Sequence, residues 1–271
     1  MHDWIDGRPA EQLSIKDRGL AYGDGLFETI AVTARSPVLL TRHLVRLDEG
    51  CRRLHLPVDL GHIREQVLAY SRQLGDGVCK LIVTRGDGQR GYALPQPTQA
   101  RLILQAAAKP HYPLEYAERG VRLYPCATRL AQQPLLAGLK HLNRLEQVLA
   151  RAEWQDTEHA EGLMLDTSER VIEGVYSNLL LVSNGVLITA DLSRCGVAGV
   201  MRAELLEQAA ALGIHCQVRD ISLAELLSAD EVLLCNSLYG VWPVRALEQR
   251  SWPVGPLTRK LQAIARDLLD C

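Results

Sequence analysis

Short apolar runs, each bounded by turn-forming residues, are the feature that most restricts what this chain can fold into. Leu81–Val83, Leu179–Val182 and Val232–Leu234 fit buried β-strands, and Asn184–Gly185 predicts a tight hairpin after the second of them. No run approaches the ~20 apolar residues of a membrane-spanning helix, so we expect no membrane association. Helical segments are interspersed without a strict β-α-β rhythm, which predicts an α/β (α+β) fold.

A proline-containing stretch near the middle of the chain predicts a boundary between two domains. Lys109–Gly120 carries two prolines and reads as a crossing segment. We assign residues 1–110 to an N-terminal α/β domain and residues 111–271 to a C-terminal domain. The length of 271 residues is sufficient for two modest domains. A cleft between two domains is the usual place for a ligand site.

Composition excludes several classes of function. Hydrophobic residues make up 47% of the chain and charged residues 23%, as in a globular protein with a real core. The net charge of −2 offers no basic field for nucleic acid. The seven cysteines form no C-x-x-C pair and the histidines form no H-E-x-x-H motif, so we expect reduced thiols and no metal site. The N-terminal residues contain no apolar secretory core, and we expect a cytoplasmic location.

One lysine stands out within GLKHLNRLEQVLAR, residues 138–151. Leu142, Leu145 and Leu149 recur at helical spacing and predict an amphipathic helix with an apolar face. Lys140 precedes that pattern. It is either a solvated surface charge or an amine held in a pocket, where a lowered pKa permits covalent chemistry.

Three further motifs each allow an ordinary structural explanation beside a functional one. His43 and Arg46 lie one helical turn apart, which suits a solvated basic face or a phosphate anchor. Glu173 lies within a strand pattern, either on the exposed face or paired with a specific cation. Gly199 opens a helix, where backbone N–H groups favour an anion. Taken singly, none of the three identifies a function.

Taken in order along the chain, these motifs resemble those of the fold-type IV pyridoxal 5'-phosphate (PLP) enzymes. This family includes D-amino-acid and branched-chain aminotransferases and 4-amino-4-deoxychorismate lyase. Five matches carry the resemblance: D-R-G-x-x-Y-G-D-G-x-F-E (Asp17–Glu28), H-x-x-R-L (His43–Leu47), G-L-K-H-L-N (Gly138–Asn143), E-G-x-x-S-N (Glu173–Asn178) and G-x-x-R (Gly199–Arg202).

Within the family, three stretches look more like the lyase than the aminotransferases. They are residues 138–151, TRGDGQRGY (84–92) and DEVLLCNSLYGVWPV (230–244). The resemblance implies PLP-dependent elimination of pyruvate from 4-amino-4-deoxychorismate, which yields 4-aminobenzoate for folate synthesis. An aminotransferase of the same fold is the alternative, and a non-catalytic cofactor-binding protein is a second alternative.

The resemblance also implies a fold and a set of site residues. A smaller N-terminal α/β domain would precede a pseudo-barrel-like C-terminal domain that carries the cofactor lysine, with the site in the cleft and a homodimeric assembly. Lys140 would bond covalently to PLP and shuttle a proton, Glu173 would face the pyridine nitrogen, and Arg46 would hold the phosphate. Further cofactor contacts would come from Asn178, the backbone of Val200 and Met201, and Ser237, and substrate contacts from Phe27, Arg85 and Arg90.

Overall fold

The computed structural model describes residues 2–270, and the chain divides into two compact units. The first unit extends to Pro110 and takes in Leu139–Asn143, while the second consists of His111–Gly138 and Arg144–Leu269. Lys140 therefore groups with the first unit, although the sequence interpretation placed it in the C-terminal domain.

Two helices packed on an antiparallel sheet form the first unit. The sheet has six strands in the order β2-β1-β6-β5-β3-β4. Its core lies between the sheet and the longer helices, where Leu47, Val67 and Leu81 are buried. The elements are β1 (Trp4–Ile5), β2 (Arg8–Pro9), α1 (Arg18–Tyr22), β3 (Gly25–Thr33), β4 (Ser36–Pro37), α2 (Leu40–Arg53), α3 (Leu60–Leu74), β5 (Gly77–Thr84) and β6 (Arg101–Ala107).

Backbone pairing explains why the lysine segment belongs to this unit. The N–H of Phe27 donates to the carbonyl of Lys140 at 2.9 Å, and the N–H of Leu142 donates to the carbonyl of Gly25 at 3.1 Å. The segment thus extends the sheet along the first half of β3. The side chain of Leu139 is buried in the core of the same unit, and this packing also anchors the segment.

The second unit is built on a nine-stranded sheet that closes on itself. Its strand order is β12-β11-β10-β13-β14-β7-β8-β9, with β15 beside β14 and an additional pairing of β10 with β9. The elements are α4 (Leu114–Glu118), β7 (Val121–Leu130), α5 (Leu145–Arg151), β8 (His159–Asp166), β9 (Val171–Gly174), β10 (Asn178–Ser183), β11 (Val186–Ala190), α6 (Val200–Ala211), β12 (Cys216–Arg219), α7 (Leu223–Ser228), β13 (Glu231–Asn236), β14 (Gly240–Leu247), β15 (Arg250–Ser251) and α8 (Pro256–Leu269). The β10–β9 pairing makes the sheet barrel-like, which confirms the predicted mixed fold.

The helix after the lysine differs from the sequence prediction. It begins at Leu145, and Leu145 and Leu149 are 74% and 61% exposed. Ala150 is the residue of this helix that is buried. The apolar face that the spacing predicted therefore exists but does not pack into the core of this chain.

Three observations bear on the classes of function considered above. None of the helices within residues 2–270 is long and apolar enough to cross a membrane. No group of three or more His, Cys, Asp or Glu side chains in that range could hold a metal ion. Six cysteines of the same range are free thiols, and Cys271 lies outside the described residues.

Candidate active site

Lys140 lies against an aromatic ring of the first unit and is half-buried. Its Nζ atom is 4.4 Å from the centroid of the Phe27 ring. Lys80 approaches the same ring, at 5.7 Å. Asn143 secures the far end of the lysine segment by donating from Nδ2 to the carbonyl of Gly23. Strand pairing and side-chain contacts thus fix the amine in one place, in contrast to a mobile surface lysine.

A buried carboxylate, Glu28, joins the two basic residues of α2. Arg46 donates from Nε to Glu28 Oε1 at 2.8 Å and from Nη2 to Oε2. His43 Nδ1 lies 2.6 Å from Glu28 Oε2. Burial alone would raise the pKa of Glu28, but Arg46 and His43 overcome it and lower the pKa to about 2. The bidentate ion pair fixes the direction of the Arg46 guanidinium.

His43 is fully buried and lies within electrostatic range of the lysine. Burial lowers its pKa; Glu28 opposes the shift, while the charges of Arg46 and Lys140 add to it. Since a carboxylate only accepts, the neutral imidazole carries its proton on Nδ1. Within residues 2–270 its Nε2 atom has no hydrogen-bond partner. The cluster therefore presents a buried acceptor near the lysine.

Arg85 is buried and bonded to other parts of the protein, and its predicted contact with a substrate stays a prediction. Its side chain is 2% exposed and donates to Asp24 Oδ2 at 2.8 Å and to the carbonyls of His55 and Leu54 at 2.9 and 2.7 Å. Arg85 thereby anchors the C-terminal end of α2, whose last carbonyl groups need donors. Arg90 is exposed on the loop that follows, and its role stays a prediction.

In the second unit, Glu173 is buried, contrary to the exposed-face alternative. Its side chain is 3% exposed. Glu173 Oε2 accepts from the N–H of Val197 at 2.8 Å and from Asn178 Nδ2 at 3.4 Å. Asn178 is also its register partner across β9 and β10, and donates to the carbonyl of Val197 at 2.9 Å. Carboxylate and amide are thus held beside the segment that leads into α6.

The beginning of α6 presents backbone N–H groups. Val200 and Met201 are its first residues, and Gly199 is its N-cap residue, with no side chain to cap them. A Cβ atom at Gly199 would lie 1.7 Å from Asn178 Oδ1, so only glycine fits here. Arg202 of the same motif does not reach outward: its guanidinium donates to Thr189 Oγ1 and to the carbonyl of Ala190.

Two further backbone relationships bring predicted residues towards this end of the sheet. Ser237 lies in the turn after β13, two residues beyond Cys235, which is the register partner of Asn178. Gly138 donates to the carbonyl of Gly196 and accepts from the N–H of Ala198, at 2.8 and 3.0 Å. The residue two positions before Lys140 is therefore paired with the approach to α6.

Glu28 is the functional candidate that sequence reasoning missed. It closes the D-R-G-x-x-Y-G-D-G-x-F-E motif, and no role was assigned to it. The available signal was strand alternation, since Leu26, Glu28 and Ile30 lie on one face of β3 and all are buried. A carboxylate on a buried strand face requires partners, and the H-x-x-R motif supplies them.

Several known proteins resemble this chain in sequence or in fold. The family profile described as Amino-transferase class IV matches residues 25–247. An aminodeoxychorismate lyase of Vibrio harveyi is 38% identical over 265 residues, which is 96% of this chain and 97% of the relative. A putative branched-chain-amino-acid aminotransferase of Methanocaldococcus jannaschii is 30% identical over 98% of this chain and 93% of the relative. The crystal structure of 4-amino-4-deoxychorismate lyase from Pseudomonas aeruginosa is 65% identical, with a TM-score of 0.98 over 99% of this chain and 100% of that chain.

Proposed function

Since this chain belongs to the class IV aminotransferase family, we propose that it is a PLP-dependent aminodeoxychorismate lyase that converts 4-amino-4-deoxychorismate to 4-aminobenzoate and pyruvate. The observation that carries the proposal is the 65% identity to the Pseudomonas aeruginosa lyase over essentially the whole of both chains. Identity at that level, together with the presence of Lys140, Glu173 and Arg46 in the family motifs, supports the same chemistry here.

The donor set of the two units fits PLP, an anionic ring compound with a basic nitrogen. The beginning of α6 suits a phosphate, since no side chain caps the N–H groups of Val200 and Met201 and the N-cap residue, Gly199, carries no Cβ atom. Arg46, aimed by Glu28, would add a cationic contact to that phosphate. Asn178 and Ser237 would complete the contacts.

Glu173 would face the ring nitrogen and keep it protonated. Its Oε2 atom is fixed by the Val197 N–H and the Asn178 amide, so the carboxylate cannot rotate away. Bound PLP supplies an electron sink for the pair of electrons released when a C–H bond next to the substrate nitrogen breaks. A carboxylate held in one direction stabilises the positive charge on the ring that this chemistry needs.

Lys140 would hold the cofactor covalently through Nζ and then act on protons. Its amine would take the proton from the amine-bearing carbon of the substrate, after which the enolpyruvyl group leaves and the six-membered ring becomes aromatic. The same Nζ atom would return a proton to the departing three-carbon group, which leaves as pyruvate. Lysine suits this role because its pKa can be lowered enough to give a neutral amine, whereas arginine stays charged.

An aminotransferase is the alternative function, and the 30% identity to the Methanocaldococcus jannaschii relative supports it. One assay separates the two functions. We would supply 4-amino-4-deoxychorismate, formed in place from chorismate and glutamine by the upstream synthase, without any 2-oxo acid. Pyruvate and 4-aminobenzoate should appear in equal amounts. If neither forms but an added amino acid passes its amino group to an added 2-oxo acid, the protein is an aminotransferase. A PLP-loaded protein inactive in both assays would be a cofactor-binding protein.

We expect the enzyme to act in the cytoplasm and as a homodimer. Free thiols at all six cysteines of residues 2–270 fit a reducing compartment. The support for a dimer is the exposed apolar face of α5, made by Leu145, Val148 and Leu149, which we call the α5 face. Large exposed apolar patches on a folded chain usually mark a contact with another protein. A second copy of this chain is the occupant that we propose.

A further inference from the structure

The second unit contains another buried carboxylate, Glu161 on β8, to which the chemistry above gives no role. Its side chain is 0% exposed. Oε1 accepts from the N–H groups of Gly162 at 2.9 Å and Val175 at 3.0 Å. Oε2 accepts from the N–H of Tyr176 at 3.3 Å and from the Ser177 hydroxyl at 2.8 Å. Three of these donors belong to one short segment, residues 175–177.

That segment is the turn between β9 and β10, and its geometry is tight. The N–H of Gly174 donates to the carbonyl of Ser177 at 2.7 Å. A Cβ atom at Gly174 would lie 2.3 Å from Ser177 Oγ and 3.0 Å from the Glu161 carboxyl carbon. Glycine is therefore required for the turn to close over the Glu161 carboxylate.

The residues on either side of the turn are the proposed cofactor residues. Glu173 precedes it by two positions and Asn178 follows it directly, and the two are register partners. Both bind Val197, through its N–H and its carbonyl respectively. A shift of the turn would therefore move the Glu173 carboxylate and loosen its link to the segment before α6.

We propose that Glu161 is a positioning residue for Glu173 and Asn178, and that it acts by holding the β9–β10 turn from the neighbouring strand β8. This inference rests on the proposed function, because it gives Glu173 and Asn178 a cofactor to meet. A carboxylate is needed because both of its oxygens accept. Glutamine would turn an N–H₂ group towards N–H or hydroxyl donors and so lose part of the network.

The electrostatic surroundings support a specific role. Burial raises the pKa of Glu161 to about 7, against the opposing effect of its hydrogen bonds. Its four donors are neutral, and the titratable groups that interact with it are Tyr112, Tyr176, Tyr239 and Cys126. A buried carboxylate without a cationic partner lowers the stability of the fold. Buried acids with a shifted pKa concentrate at functional sites.

The test compares Glu161→Gln with Glu231→Gln in the PLP-loaded protein. Glu231 is a matched control: it is also buried, and it accepts from the backbone N–H groups of Leu257 and Thr258. It pairs with Val182, at the opposite end of β10 from Asn178. Amide hydrogen exchange would be measured at Gly174 and Val197, together with the visible absorption band of bound PLP, and Glu173→Gln would supply the reference band for a ring without its partner.

Above pH 7, where the Glu161 carboxyl with its pKa of about 7 is mostly ionised, we expect Glu161→Gln to exchange about tenfold faster at Gly174 and Val197, the effect of losing one hydrogen bond to a charged acceptor. Its absorption band should shift in the direction of Glu173→Gln. Glu231→Gln should exchange faster only at the beginning of α8, with an unchanged band. Faster exchange confined to residues 175–177, with Val197 and the band as in wild type, would overturn the proposal.

Ser177→Ala is the second variant, for use if Glu161→Gln does not fold. It removes one donor and keeps the carboxylate. It should show a smaller change in the same direction, and no change at all would count against Glu161.

A wild-type protein that binds PLP but releases no 4-aminobenzoate would refute the lyase while leaving the exchange and absorption results decisive. A wild-type protein that binds no PLP would refute both.

Discussion

The proposed chemistry depends on a single amine, Lys140, and the structure offers a matched control for it. Lys80 lies 5.7 Å from the same Phe27 ring that Lys140 approaches at 4.4 Å. Lys140→Ala should fold, and its turnover rate should fall by about 10²–10⁴-fold or more, which is the usual contribution of a general acid–base residue. After borohydride treatment, mass spectrometry should find PLP attached to the wild-type and Lys80→Ala chains and absent from Lys140→Ala. Attachment at another lysine, or full activity of Lys140→Ala, would refute the assignment.

A second residue, Glu28, should control both stability and cofactor affinity. Glu28→Gln leaves the Arg46 guanidinium without its carboxylate, and breaking a buried ion pair costs about 3–5 kcal/mol. Because the Arg46 fork would lose its fixed direction, PLP should also dissociate more readily. Chemical denaturation and the dissociation constant for PLP would measure the two effects. Unchanged values for both would show that Arg46 is held by other contacts.

The pKa of Glu28 gives this prediction a pH dependence of known sign. The folded pKa is about 2, below the ordinary value of 4.5. The folded state therefore binds fewer protons than the unfolded state between these values. Stability from Glu28 should be present above pH 4.5 and be lost as the pH falls towards 2. The Glu28→Gln protein should show a shallower fall of unfolding free energy across that window than wild type; equal slopes would contradict the low pKa.

At the scale of elements, the beginning of α6 makes the sharpest prediction. A methyl group at Gly199 would lie 1.7 Å from Asn178 Oδ1, so Gly199→Ala must displace either the amide or the helix. Either movement disturbs the N–H groups that we propose for the phosphate. Affinity for PLP should fall at least about tenfold, the value of roughly one hydrogen bond to a charged group. Equilibrium dialysis would measure it, and an unchanged affinity would exclude α6 as the phosphate site.

Local sequence signals predicted some elements well. Asn184–Gly185 was expected to form a hairpin, and it does: both residues have positive φ, and Ser183 pairs with Val186. The helical period after Lys140 also predicted a helix, and the structure has one that begins at Leu145. These features depend on residues within a few positions of one another, so the sequence contains the information directly.

Other features depend on distant partners and could not be derived that way. The β10–β9 pairing that closes the barrel-like sheet depends on register between non-local strands. Arg85 looked like a loop cation, yet its guanidinium donates to the carbonyls of Leu54 and His55, which lie 31 and 30 residues earlier. The roles of Glu28 and Glu161 depend on donors from other elements in the same way.

At the scale of the whole molecule, the α5 face links the sequence pattern to assembly. The leucines at helical spacing predicted a buried face, and in the single chain they lie exposed, at 74% for Leu145, 60% for Val148 and 61% for Leu149. Amphipathic helices owe most of their stability to packing of the apolar side. A seven-residue helix with this face in water would be marginal, and a partner surface would resolve the contradiction.

The homodimer prediction is tested by placing a charge on the α5 face. Wild-type protein should show twice the chain mass of 30.0 kDa by light scattering, and Leu149→Glu should shift the equilibrium to monomers because an unpaired charge cannot be buried in an apolar interface. Leu114→Glu is the control: Leu114 is 78% exposed and opens α4, where an acidic residue is tolerated. Leu114→Glu should stay dimeric. At concentrations low enough for both variants to be monomeric, the two should unfold at nearly the same temperature. A dimer that persists in Leu149→Glu but dissociates in Leu114→Glu would place the interface elsewhere. A wild-type protein that is monomeric at micromolar concentration would refute the homodimer.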